Sequence, residues 1–278
     1  MLRSYDSLPR SSIGVGLDAN ADVGADADAR AALEAGREGP GGIHMAISQF
    51  KKDIGWARRQ STVPFTACVK GSASGEQSDC VVPLNKGGEA SAYLAFILRY
   101  WNNLPAWVAF VDPNERSWHQ PFDKVAKIAC VGALLGRGER VSTSGYLGLN
   151  ELRIVSDSLR DWSYKDVFDS VVGPWLGECP AHLVTDGSGQ FLVSREAILR
   201  QPRALYECIL AYCLGFRRFP GDTAWLDAVK VSYAPGRKGK DNSYFTEYIW
   251  HMLFGEKAVL DTNVQYQVCT MRPPKSAL

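Results

Sequence analysis

The most constraining stretch is residues 80–119, CVVPLNKGGEASAYLAFILRYWNNLPAWVAFVDPNERSWH. An apolar run at 80–84 ends at Asn85-Lys86-Gly87-Gly88. Ala90, Tyr93, Leu94, Ile97, Leu98 and Trp101 then recur at the i, i+3, i+4 spacing of one buried helical face. Asn102-Asn103-Leu104-Pro105 stops the helix. A second apolar run at 107–111 ends at Asp112-Pro113-Asn114-Glu115. This is a strand, glycine loop, helix and strand, with a parallel pair as the default expectation. Open α/β sheets hold ligands outside the carboxyl ends of their strands. Both polar loops of this unit lie at such ends.

The flanking chain extends the pattern. Residues 44–49 predict a first strand, 51–59 a short helix with Ile54 and Trp56, and 64–70 a second strand before a polar loop at 71–79. Residues 121–135 predict a helix with Phe122, Val125, Ile128, Ala129 and Leu135 on one side. Residues 146–155 read as either strand or loop, 162–175 as a helix stopped at Gly173-Pro174, and 182–189 as turns. Residues 190–193 predict a short strand, with Ser194 as N-cap of the helix that follows. Helical patterns resume at 204–214 and 244–254, the last closed by Gly255. Residues 220–240 are loop-rich and end in the basic cluster 237–240. Residues 1–42 are different: rich in Ala, Gly and Asp, with one aromatic and a charge of −3, they read as a disordered or linker segment. They lack the apolar core of a signal peptide and the acid-poor composition of a transit peptide.

Composition sets the remaining bounds. A chain of 278 residues, 46% hydrophobic and 22% charged, can bury a core without a disulfide framework. A net charge of +1 argues against nucleic acid as the main partner. No run of 18 apolar residues predicts a membrane span. Seven cysteines include no CxxC pair; their odd number favours free thiols, with one disulfide open to a secretory chain.

Three groups of residues carry candidate chemistry. Asn85-Lys86-Gly87-Gly88-Glu89 joins a strand to a helix N-terminus and reads two ways: as a tight turn, or as a loop whose N–H groups and Lys86 hold a diphosphate. It is neither a Walker A loop nor GxGxxG. Asp112 with Asn114, and His119 beyond, offers oxygen and nitrogen ligands to a hard divalent cation; an Asp-Pro-Asn turn explains the same spacing and is the commoner origin. Glu247 and His251, four apart, share a helix face that can present a base and a ligand together, or a surface contact. Asp53 and Asp186 are further carboxylates near predicted strand ends.

In combination these segments resemble a family catalogued as domain of unknown function 3431. The resemblance runs through residues 46–56, 82–90 with Tyr93-Leu94, 103–105, Ser117-Trp118-His119, 190–196 with Ile198, and Glu247 to His251 with Phe254-Gly255. The family's layout is similar to glycosyltransferases of the GT-A type. The fold expected from it is α/β: a Rossmann-like, GT-A-like, mostly parallel sheet flanked by helices, in a single domain from 43 to 278. Its nucleotide half spans about 43–135 and its acceptor half about 136–256. The resemblance implies a glycosyltransferase moving a sugar from a nucleotide-sugar donor to a glycan, protein or lipid acceptor. Asp53 would lie near the nucleoside, and Asn85, Lys86, Gly87, Gly88 and Glu89 near the donor. Asp112, His119 and His251 would hold Mn2+ or Mg2+, with Glu247 or Asp186 as base. It leans to the secretory pathway, and otherwise to the cytoplasm. The rival expectations are a carbohydrate- or nucleotide-binding protein without turnover, and a metal-dependent hydrolase.

Overall fold

Seven consecutive residues, Ile43–Gln49, form the central strand β1 with six of them buried, as expected of a strand covered on both faces. The computed structural model describes residues 39–71, 78, 80–82, 84–117, 123–150, 154–156, 162–187, 189–215, 242–261 and 268–269. Most of the segment read as a linker, His119 and the cluster at 237–240 lie outside the described residues. After β1 come α1 (Gly55–Gln60), β2 (Phe65–Lys70), β3 (Cys80–Val82), α2 (Gly88–Arg99), β4 (Trp107–Val111) and α3 (Lys124–Gly136). The second half holds β5 (Tyr146–Gly148), β6 (Ile154–Ser156), α4 (Trp162–Val171), α5 (Gly173–Leu176), β7 (Leu183–Thr185) and β8 (Phe191–Ser194). It ends with α6 (Arg195–Leu199), α7 (Arg203–Leu214) and α8 (Thr246–Leu253).

The main sheet has six strands in the order β3-β2-β1-β4-β8-β5. The first four are parallel, and β8 runs antiparallel to both β4 and β5. The sheet is therefore mixed, which refines the expectation of a mostly parallel one. The expected adjacent pair is corrected: β3 and β4 share a direction but are separated by two strands, β2 and β1. A separate two-stranded sheet pairs β6 with β7, where turns were expected at 182–189.

Alternation along the strands divides the interior into two cores. Ala46, Val108, Phe110, Tyr146, Phe191 and Val193 face α2, α7 and α8. Met45, Ile47, Ala109, Val111, Leu147 and Leu192 face α1 and α3. The strands read as near-continuous apolar runs because both faces are used. On the α3 side, a short 3-10 turn at Pro40–Gly42 packs against the helix backbone to backbone. A Cβ on Gly132 would come within 2.6 Å of the Pro40 carbonyl oxygen, so glycine permits this contact.

Two disulfides cross-link the fold. Cys68 and Cys80 are register partners on neighbouring strands, and Cys130 on α3 joins Cys269. Only Cys179, Cys208 and Cys213 are free thiols, which corrects the expectation of mostly free cysteines. Among the described residues no helix is long and apolar enough to cross a membrane.

Candidate active site at the carboxyl ends of the strands

The chain runs outward from β1 to β2 and β3, then returns to β4 on the other side of β1. That reversal creates a topological switch point between the carboxyl ends of β1 and β4, the usual place of a ligand crevice in open α/β sheets. The loop after β1 carries Lys51, Lys52 and Asp53, all exposed, and Lys51 adopts φ +53°. The loop after β4 carries Asp112, Pro113, Asn114 and Ser117. The two loops are tied together: Lys52 Nζ donates to Asn114 Oδ1 at 2.5 Å, and Trp56 Nε1 to the Pro113 carbonyl at 2.9 Å. Asp53 Oδ1 accepts from Gly55 N, the first residue of α1, at 2.7 Å.

Asp112 is the centre of this end of the sheet. It is 6% exposed and both carboxylate oxygens are engaged. Lys124 Nζ donates to Oδ1 at 2.6 Å; Ser117 Oγ and Asn114 Nδ2 donate to Oδ2 at 2.6 and 3.0 Å. Burial alone would raise this carboxyl, but Lys124 and the hydrogen bonds outweigh it and hold it below the ordinary range. Lys124 is 1% exposed and stands 5.0 Å from the Trp56 ring centre. Burial pulls its ammonium down and Asp112 opposes that pull. Gln190, just before β8, adds its side-chain oxygen 3.3 Å from Asp112 N and 3.4 Å from Lys124 Nζ. The reversal of β8 is what puts Gln190 there: it sets Phe191 opposite Phe110.

A second buried cluster continues along the same edge. Lys127, 2% exposed, donates from Nζ to the Gly148 carbonyl at 3.3 Å. Asp186, also 2% exposed, accepts from the Tyr146 hydroxyl at 2.9 Å. Burial lifts the Asp186 carboxyl to about 6, against the hydroxyl and the charge of Lys127. Its Oδ2 lies against Gly148, where a Cβ would meet it at 1.5 Å.

The glycine loop stands beside these clusters. Gly87 caps α2 at φ +77°, and a Cβ there would fall 2.8 Å from Ser91 Cβ and 2.9 Å from Cys213 Cβ. Lys70, at the end of β2, donates to the Gly88 carbonyl at 2.8 Å. Asn85, Lys86 and Glu89 are exposed. One turn into α2, Tyr93 is 1% exposed and its hydroxyl has no hydrogen-bond partner among the described residues. Its phenol is pushed well above the ordinary value by burial first, then by the charges of Glu89, Asp112 and Glu247. The charges of three of the expected carboxylates thus reach this one buried hydroxyl. His251 is placed differently. It is fully buried, with Nε2 3.3 Å from the Ala258 carbonyl, and burial pulls it down to about 4.

Lys124, Lys127 and Gln190 were not singled out in the sequence. Apolar spacing pointed to Val125, Ile128, Ala129 and Leu135, whereas the fully buried stripe of α3 is Lys124, Lys127, Ile128, Val131 and Gly132, so counting apolar residues hides the two lysines. Lysines are almost never fully buried unless paired, so that stripe implied acidic or carbonyl partners.

Such an arrangement defines an α/β protein whose switch point carries lysines and is backed by a buried ion pair. The chain belongs to the family described as "Protein of unknown function (DUF3431)", whose model matches residues 45–271. No curated protein and no solved structure matches it.

Proposed function

We propose that this protein is a GT-A-like glycosyltransferase that moves a sugar from a nucleotide-sugar donor to a hydroxyl acceptor. The observation that carries the reading is the switch point, where Lys51 and Lys52 follow β1 and Lys52 bonds Asn114 in the Asp112 loop after β4; Lys86 follows β3, two strands from β1. Open α/β sheets bind nucleotides at this position, and lysines there suit a diphosphate. One reversed strand, β8, brings the second half of the chain to the same end, as an acceptor-binding half requires.

Of the two candidate bases, Glu247 fits better. It is half-buried in the first turn of α8, whereas Asp186 is enclosed and held by Tyr146. In an inverting transfer, the Glu247 carboxylate takes the proton of the acceptor hydroxyl. The acceptor oxygen attacks the anomeric carbon, and the bond to the diphosphate breaks with its electron pair leaving on the diphosphate. Lys51, Lys52 and Lys86 meet that charge electrostatically. A divalent ion at Asp112 fits poorly, because Lys124, Ser117 and Asn114 already occupy both oxygens, so no step is routed through a metal. The two disulfides suit an oxidising compartment and support the lean to the secretory pathway.

Thermal shift with UDP- and GDP-sugars, with and without manganese, tests the reading. A ligand at 100 times its Kd adds about 2.7 kcal/mol of stability, a clear rise in Tm. Absence of any shift with every nucleotide refutes it. Binding without transfer to any acceptor would favour the rival carbohydrate- or nucleotide-binding protein.

A further inference from the structure

The geometry points to Lys124 as a built-in cation that takes the place of a divalent metal at Asp112, so that the switch point selects an anionic ligand and needs no metal ion to bind it. For its meaning in sugar transfer this rests on the donor reading above, but its physical content stands on the cluster alone.

A hard divalent cation bridges carboxylate and other oxygens at about 2.0–2.6 Å. At Asp112 those positions are filled by hydrogen-bond donors. Lys124 Nζ sits 2.6 Å from Oδ1 and also reaches the Asp112 carbonyl at 3.5 Å and Gln190 Oε1 at 3.4 Å. Its side chain is 0% exposed, so solvent does not compete for it. Ser117 and Asn114 occupy Oδ2. A dication arriving here would have to displace donors and sit beside a fixed ammonium. The ammonium also stands at the first position of α3, where the helix dipole opposes a positive charge. Asp112 and the N-cap Asp123 offset that opposition electrostatically.

The cluster extends outward to solvent. Asn114 donates from Nδ2 to Asp112 and accepts at Oδ1 from Lys52. A continuous relay Lys124–Asp112–Asn114–Lys52 therefore runs from the buried edge of β4 to the exposed loop after β1. It contains two ammonium groups and one carboxylate, a net charge of +1. Lys124 neutralises Asp112 from beneath, so the exposed Lys52, with Asp53 next to it in the chain, is not needed to balance that carboxylate. Lys51 precedes Lys52. The ligand class this selects is a phosphate or diphosphate, held by ammonium groups and not through a bridging metal.

The test uses the full chain, with inorganic pyrophosphate and MnCl2 as separate probes followed by thermal shift and calorimetry. The wild-type protein is expected to bind pyrophosphate with the same affinity, within twofold, in EDTA and in manganese, and to show no shift with MnCl2 alone. Lys124→Met is expected to weaken pyrophosphate at least tenfold and to gain a manganese shift at the released Asp112. Should that variant not fold, Asn114→Ala cuts the relay without stranding a buried charge, and is expected to weaken pyrophosphate three- to tenfold. Wild-type manganese binding that Asp112→Asn abolishes would overturn the inference. So would pyrophosphate affinity that disappears in EDTA, or that Asn114→Ala leaves unchanged. If pyrophosphate binds without metal and no nucleotide-sugar binds, the donor reading falls and this one stands. If nucleotide-sugars bind only with manganese, the reverse holds.

Discussion

Acid should weaken this fold by an amount that a single substitution can isolate. His44 lies in β1, 7% exposed, with Nε2 2.9 Å from Thr66 Oγ1 and its ring stacked on Phe96 at 5.8 Å. Burial pulls it from 6.5 to about 4. His251 is pulled to about 4 mainly by burial, while Asp186 is lifted by burial to about 6. The signs follow from linkage. Each histidine contributes stability that is present above 6.5 and lost as pH falls toward 4, because the unfolded chain takes the proton first. Asp186 does the opposite: its contribution is present below about 3.8 and lost as pH rises through about 6. At pH 5 each histidine changes by roughly 0.9 proton on unfolding, and Asp186 offsets roughly 0.8. The net is about one proton, or roughly 1.3 kcal/mol of stability per pH unit. His44→Gln retains a side chain able to reach Thr66 and removes one titrating group. Urea unfolding at several values between pH 4.5 and 6.5 should show a variant slope near zero at pH 5, lower than wild type by roughly 1.2 kcal/mol per pH unit. Equal slopes in the two proteins would show that His44 is not held neutral, and the burial reasoning would fail.

Two further outcomes are expected from the packing. Gly148→Ala forces a Cβ to within 1.5 Å of Asp186 Oδ2 and breaks the Tyr146 hydrogen bonds, whereas at Gly138, with φ +76°, nothing lies within 4 Å of the added atom. Gly148→Ala should therefore cost roughly 2–4 kcal/mol in urea unfolding and Gly138→Ala about 1, and equal costs would contradict the crowding. Of the disulfides, Cys130–Cys269 closes a separation of 139 residues and Cys68–Cys80 one of 12. Chain entropy assigns them roughly 5 and roughly 3 kcal/mol, so Cys130→Ser should lower the urea midpoint more than Cys80→Ser.

Much of the first half was legible because its elements are long or well punctuated. The apolar runs at 44–49, 64–70, 80–84 and 107–111 match β1 to β4, apart from their ends. The glycine loop stands at the start of α2 as expected, and Ser194 Oγ accepts from Ala197 N as the cap. The three-residue strands of the second half were not legible in the same way. β5, β6 and β7 span three residues each, too few for a period to separate them from turns. Direction was hidden as well: Phe191 to Ser194 reads the same whether it runs with or against β4, since its partners are set by tertiary packing. The Cys68–Cys80 bond has a similar origin, arising from the register of β2 on β3.

The direction of β8 also decides which residues form the site. Run parallel to β4, that strand would carry Gln190 and Asp186 to the amino end of the sheet, and Lys124 would lose the oxygen of Gln190. Run antiparallel, it places Gln190 over the Asp112–Lys124 pair and Asp186 against Gly148 at the carboxyl end of β5. The two lysines of α3 then have acceptors at the ends of two strands, Asp112 after β4 and the Gly148 carbonyl in β5. Without those acceptors, two buried ammonium groups on one helix face would each carry a desolvation penalty of several kcal/mol. The stripe of α3 and the reversal of β8 are therefore one constraint seen from two elements: a helix that buries Lys124 and Lys127 requires a sheet edge that turns polar at its carboxyl end. That requirement concentrates charge at the carboxyl end of the sheet, where β1 and β4 diverge in chain order.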